Sequence, residues 1–417
     1  MKKLLLIFIS FTLYTSMVFA VDATFKISKD VEQRTRIALV DGSVAQNARF
    51  FKMFLSDFKI SGHFLADTKH HKGEVGSNFV SPALKNKEYI VKYNLTQSSG
   101  SKLIVRLLKA STGSEVFKKS YGIPGKAKVA FLIHKAVSDM NKALKYPDIS
   151  WINRYIVYAT YTSSGRSEIR LSDYSFSYRK TIIKGGLNLF PKWADKAQRH
   201  IYYTSYKGLR PTLYKLNIYS GAKSKIISSE GMLVCSDVSA NGSKLLLTMA
   251  PHGQADIYEL NLASGTKKRV TKFSGIDVNG RYSQNENSVV FVSNRLGYPN
   301  VFKKSLHSSS ASQVVYHGRS NNACDAYGNK VIYSSRESSS TFGDNKFNIY
   351  LTTLGRSSTR PLTTTGANQF PRFSKDGAVV LFLKQRAKRT SIGYMNLTSF
   401  QSLLFPFNGN KIQSIDW

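Results

Sequence analysis

Two histidines stand side by side, His70 and His71, in a stretch rich in lysine and glycine. Imidazoles are the commonest metal ligands, but a zinc or metalloprotease site needs further ligands at set spacings, as in H-E-x-x-H. No such spacing occurs, and the eight histidines are scattered. The pair reads as solvated side chains in a polar loop, and no metal site is expected. Cys235 and Cys324 are the only cysteines, too few for a zinc ribbon or a disulfide scaffold. There is no G-x-S-x-G nucleophile elbow, no P-loop and no dinucleotide fingerprint. No carboxylate pair is singled out by its spacing. Ser374-Lys375-Asp376-Gly377 has the wording of an aspartate box, but the same place is a turn in every repeat described below. The catalytic and cofactor sets are therefore read as empty, and the chain as no enzyme.

The elements behind these residues repeat. An alternating strand followed by a turn recurs as Ile169–Tyr174, Leu213–Ile218, Ile257–Leu262, Val301–Leu306, Ile349–Leu354 and Ile392–Leu397. The steps between starts are 44, 44, 44, 48 and 43 residues. Around each phrase the grammar is the same: an inner strand, an Asn-Gly or Asp-Gly type turn, a second strand, a loop, the Ile-Tyr strand and a fourth strand. Four antiparallel strands per unit of about 40–50 residues is the blade of a β-propeller. Trp151 to Trp417 reads as six blades. Phe190–Tyr203 and Phe370–Leu383 are the same inner strand, turn and second strand in two of them. The first unit lacks an inner strand, and the chain ends on an unpaired "KIQSIDW". That segment is expected to complete the first blade and close the ring, removing two sheet edges. In this register Cys235 and Cys324 occupy non-equivalent places in separated blades and read as two buried thiols.

Residues 21–148 do not repeat. Phe50, Phe51, Phe54 and Phe58 share one helical face, and Val129 to Leu144 has helical spacing. Three strand-like segments lie between them, so the whole chain reads as a small α/β N-terminal domain, two helices on a mixed sheet, followed by an all-β six-bladed propeller over 151–417. Residues 1–20 open with Lys2 and Lys3, continue apolar and end in Val18-Phe19-Ala20. This is a secretory signal, cut after Ala20; the other reading is an uncleaved anchor. No later segment is apolar enough to span a membrane. "VDATFKI", Val21 to Ile27, alternates well enough to be a strand. It is either the first strand of its domain or free to pair with another protein's sheet edge. The formal charge is +35. Nucleic acid is excluded by export and by the even spread of the cations. The charge is either a solvated basic surface or an attraction to anionic envelope components.

These features together resemble the TolB family: an exported chain, a small α/β part with "DFKISGHF" at Asp57–Phe64, "RYIVYAT" at Arg154–Thr160, "IYELNLASG" at Ile257–Gly265, and "FPRFSKDG" at Phe370–Gly377. The resemblance covers nearly the whole mature chain. It implies a non-enzymatic periplasmic component of the Tol–Pal system, linking inner-membrane TolA to the peptidoglycan-associated lipoprotein Pal. It further implies a part in outer-membrane integrity and envelope constriction during division. The TolA-binding role would fall on Val21, Asp22, Ala23, Thr24, Phe25, Lys26 and Ile27. The Pal-binding role would fall on residues that open the inner strands at one mouth of the ring: Asn188, Phe190, Met232, Asp277, Asn321, Asn322, Asn368 and Phe370. A propeller enzyme or a carbohydrate binder acting on envelope polymers is the alternative.

Overall fold

The structure, a computed structural model, describes residues 34–44, 48–337, 346–386 and 389–417. The expected signal segment 1–20 and the strand Val21–Ile27 lie outside the described residues. Strands β1 (Thr35–Asp41), β2 (Phe64–Ala66), β3 (His71–Lys72), β4 (Tyr89–Gln97), β5 (Gly100–Lys109) and β6 (Glu115–Pro124) form one mixed sheet. Its order is β2-β1-β4-β5-β6, with β3 beside β1. β1 is parallel to its neighbours and is buried along nearly its whole length, as its unbroken apolar run Ile37–Val40 requires. Helices α1 (Ala48–Ser61) and α2 (Val129–Ala143) cover one face. Phe51, Phe54 and Phe58 of α1 and Leu132, Ile133, Val137 and Met140 of α2 pack there against Ile37, Leu39, Val91 and Val105. The opposite face is closed by a loop that holds Val80 and Leu84 over Ala38, Ile90 and Leu108. Two buried cations tie that loop down. Lys92 Nζ donates to the carbonyls of Ser77 and Phe79, both at 2.8 Å, and Arg106 to those of Val75 and Gly76, both at 2.7 Å. His70 is not simply solvated: its ring stacks on Phe51 at 4.3 Å and its Nε2 lies 2.9 Å from Asp41.

From Ile156 onward the chain is a β-propeller. It forms antiparallel four-stranded sheets, two of them merged into an eight-stranded one through the single parallel pair Phe347 and Ala367. The Ile-Tyr phrases fall on third strands, whose apolar side chains alternate into the layers between sheets. The inner strands are Asn188–Trp193, Leu233–Val238, Asp277–Ser283, Asn321–Tyr327, Ala367–Phe373 and Ile412–Asp416. Each touches the next in that order, and the last touches the first. The C-terminal strand pairs antiparallel with Ile156–Ser163 and so sits innermost in the sheet begun by the first propeller strands. Trp417 anchors it. Its ring packs against Trp151 and Tyr394 at 5.5 Å each, and its Nε1 donates to the Phe373 carbonyl at 2.8 Å. Cys235 and Cys324 are free and buried, in different inter-sheet layers.

Candidate functional site: the propeller channel and its mouths

Every inner strand slips register near its middle. The slips lie at Leu189/Lys192, Cys235/Asp237, Val278/Arg281, Asn322/Asp325, Gln369/Arg372 and Ile412/Ser414. At four of them the bulged residue is left-handed: Phe190 (φ 55°), Asn279 (58°), Ala323 (49°) and Phe370 (54°). A phenylalanine rarely adopts this backbone, because its Cβ crowds the carbonyl oxygen. The bulge re-aims the side chains around it. Phe190 and Phe370 thereby become walls of the channel mouth.

Beyond the bulge each strand sends a charge into the axis: Lys192, Asp237, Arg281, Asp325, Arg372 and Asp416. The sign alternates at every step around the ring. Lys192 Nζ lies 3.0 Å from Asp416 and 3.5 Å from Asp237; Arg281 lies 3.8 Å from Asp237 and 3.3 Å from Asp325. Each carboxylate also accepts the main-chain N–H that follows a neighbouring cation. Trp193 donates to Asp416 at 2.9 Å, Tyr282 to Asp237 at 3.0 Å and Phe373 to Asp325 at 2.8 Å. Burial pushes the Arg281 guanidinium down, but Asp325 and Asp237 outweigh it and hold the group above its ordinary value. Arg372 lacks as close a partner. Burial, reinforced by Arg281, brings it to about 10, so it still carries its charge at neutral pH.

The ring divides the channel. On one side lies a cavity of about 360 Å³ walled by Phe190, Pro191, Met232, Val234, Val278 and Phe370. On the other lies one of about 620 Å³ rimmed by the turns that end the inner strands. Arg281 and Arg372 border only the first, Asp237 and Asp325 only the second, and Lys192 and Asp416 both. The apolar mouth therefore has a largely cationic floor, suited to an apolar side chain with a negative group below it. At the polar mouth, burial and the nearby Arg154 and Lys196 push Lys375 down to about 8.

The residues singled out from sequence separate into two groups. Phe190, Met232 and Phe370 come together as walls of the 360 Å³ cavity. Asn188, Asp277, Asn321 and Asn368 are buried and face inward. The Asn188, Asn321 and Asn368 amides donate to the carbonyls of Gly185, His317 and Thr365, clamping the loops that lead into their own strands. Asp277 holds Arg295 at 3.0 Å. Within this chain these four side chains are engaged in internal contacts, the three asparagines with their own loops and Asp277 with Arg295: a polar residue at a strand start reads as exposed until its loop folds back over it. Asn322 is half-buried beside Ser320. The sequence reading missed the charge ring, visible only once the bulges are aligned. It also missed exposed Leu209, Ile276, Leu296 and Tyr316, on loops around the same mouth. That face carries exposed Arg166, Lys184, Lys207, Lys272, Arg319 and Lys411. Among the described residues its exposed carboxylates are Glu230, paired with Arg210 at 3.1 Å, and Glu337, which accepts from Tyr350.

Residues 150–417 match the family model described as TolB beta propeller domain. Over 96% of this chain and 97% of the relative, the sequence is 41% identical to the Tol-Pal system protein TolB of Wolinella succinogenes. The chain belongs to the TolB family. The TolB protein of Campylobacter jejuni is 38% identical over the full length of both chains. The crystal structure of TolB from Acinetobacter baumannii superposes with a TM-score of 0.75 over 92% of this chain and 96% of that one, at 21% identity, which speaks to the fold.

In this TolB-family chain helices α1 and α2 share a core with Trp151 and with Trp417, which borders the polar mouth. The junction is a buried charge cluster. His134 on α2 lies 2.7 Å from Asp57 on α1 through Nδ1, and 3.2 Å from Asp173 of the propeller through Nε2. Tyr174 Oη donates to Asp57 at 2.5 Å, and the main-chain N–H groups of Ser175 and Tyr178 donate to Asp173 at 2.9 and 2.6 Å. Burial works against the imidazolium, but the two carboxylates overcome it and hold His134 at about 9. Burial raises Asp57 above its ordinary value; burial also opposes charge on Asp173, but His134 and the donors hold it below.

Proposed function

We propose that this chain is a non-enzymatic, periplasmic interaction component of the Tol–Pal system, with a six-bladed propeller whose apolar mouth receives Pal. The alternating charge ring supports the blade number: strict alternation around a closed ring requires an even count of inner strands. The observation that carries the binding reading is the 360 Å³ mouth itself, apolar in its walls and with Arg281 and Arg372 in its floor. A protein loop that inserts an apolar anchor and a carboxylate fits it, and the basic rim would steer an acidic partner. The second contact, with TolA, is assigned to Val21–Ile27 as a strand added to a partner's sheet. Pal bound at the mouth would bias whether that strand is docked or released, which requires each partner to alter the other's affinity equally.

Calorimetry with the soluble domain of the Pal lipoprotein tests the reading. Met232→Asp, at an exposed position, is expected to weaken binding about tenfold or more without lowering the melting temperature, as for a central contact. Unchanged affinity sinks the site. TolA affinity that is the same with and without saturating Pal sinks the switch. Turnover of peptidoglycan fragments by the purified protein would favour the enzymatic alternative.

A further inference from the structure

A second basic feature runs along the propeller's flank and shares Lys272 with the rim of the apolar mouth. The outer strand Lys267–Arg269 and the third strand of the next sheet, Asn300–Ser305, enclose a groove of about 490 Å³. Five cations line it: Lys268, Arg269, Lys272, Arg295 and Lys304, with His307 and the Ser308 and Ser309 turn at one end. Two are already compensated and fixed. Arg269 is ion-paired with buried Asp256. Arg295 is paired with buried Asp277, and its guanidinium lies 4.8 Å from the Phe302 ring centre and 4.9 Å from that of Phe273. Among the described residues the three lysines pair with no carboxylate. Lys268 donates to the Leu306 carbonyl at 3.3 Å, Lys304 to that of Ser309 at 2.6 Å, and Lys272 has no internal partner among the described residues.

Repulsion of this kind is uncommon without a ligand to relieve it, because lysines on a free surface spread apart into water. Here two of the three, Lys268 and Lys304, are tied to main-chain carbonyls at the groove. Burial, then Arg295 and Lys268, push Lys304 below its ordinary value. The groove combines guanidinium groups fixed by ion pairs, lysine ammonium groups and hydroxyl donors, and the carboxylates its arginines meet, Asp256 and Asp277, are neutralised. We infer that it is a binding site for a phosphate-bearing anion. Arginine forks and lysine point charges are the donors that recognise phosphate oxygens, and a scattered basic surface would not supply two ion-paired guanidinium groups beside three lysines that no carboxylate of the described residues neutralises.

The test has two probes, inorganic pyrophosphate by calorimetry and vesicles of phosphatidylcholine with or without phosphatidylglycerol by co-sedimentation. Wild type is expected to bind at least one of them. Lys268→Gln with Lys304→Gln removes two charge-assisted bonds and should weaken binding about tenfold or more. Lys180→Gln with Lys225→Gln, which removes the same charge from exposed outer strands elsewhere, should cost about twofold or less. Lys272→Gln breaks no internal bond and should still weaken binding measurably, which separates recognition from loosening of the turn. Binding of pyrophosphate points to a free phosphate compound. Binding of phosphatidylglycerol vesicles alone points to a lipid headgroup, and both outcomes support the site. No binding of either probe, or equal losses in the two double variants, overturns it.

Discussion

Replacing His134 by glutamine tests how the N-terminal part is joined to the propeller. The side chain is fully buried and bridges Asp57 and Asp173 across the junction. Glutamine keeps one donor but removes the charge, leaving two buried carboxylates with no cation between them. Breaking a buried pair in this way costs on the order of 3–5 kcal/mol. The pH dependence provides an independent measure. The folded-state pKa of His134 is about 9, against about 6.5 in the unfolded chain. A raised histidine stabilises fully below the unfolded value, and the contribution is lost as pH rises through the folded one. The difference of about 2.5 units corresponds to about 3 kcal/mol present at pH 6 and gone above about pH 9.5. Denaturant unfolding of wild type and His134→Gln at pH 6, 7.5, 9 and 10 reads it out. The gap between the two proteins should be widest at pH 6 and close progressively through pH 9. Taking the difference removes other groups that titrate in this range, Lys375 among them. A gap that stays constant with pH, or one below about 1 kcal/mol at pH 6, would refute a charged, bridging His134.

Three further outcomes follow from the same contacts. Removing residues 411–417 deletes the burial of Ile412, Ile415 and Trp417 and leaves Ile156–Ser163 paired on one side only. The loss, on the order of 6 kcal/mol or more, approaches the whole stability of a typical domain, so no cooperative melting transition is expected by calorimetry. Asp416→Asn strips Lys192 of its nearest carboxylate and should cost about 3 kcal/mol in denaturant unfolding. Adding Lys192→Met should recover part of that loss; a purely additive double variant argues against coupling within the ring. Burial pushes the Cys324 thiol up to about 12, and Cys235 higher still. Neither should react with a thiol reagent at pH 8 until the protein is unfolded, and rapid labelling of the native state would contradict their placement.

The strand phrases from Ile169 to Leu397 announced a propeller because a blade must alternate apolar and polar residues and must turn on schedule, and both demands are local. The helical faces of α1 and α2 were equally plain, since 3.6-residue spacing is a property of one segment. The terminal "KIQSIDW" is innermost in the sheet with Ile156–Ser163. Its isolation at the end of the chain had marked it as a strand without a partner.

What the chain could not show by itself is what arises between distant segments. Asn188, Asn321 and Asn368 look like surface polar groups in one dimension and become buried clamps only when their loops close over them. Lys192, Asp237, Arg281, Asp325, Arg372 and Asp416 lie roughly 45 residues apart and carry no shared motif. Bulges shift each into register, and only the closed ring sets their signs side by side. His134, Asp57 and Asp173 belong to three segments that each read as ordinary amphipathic structure. Periodicity is written along a segment and is therefore legible in sequence; charge pairing across a channel or a junction depends on distances that exist only once the chain has folded.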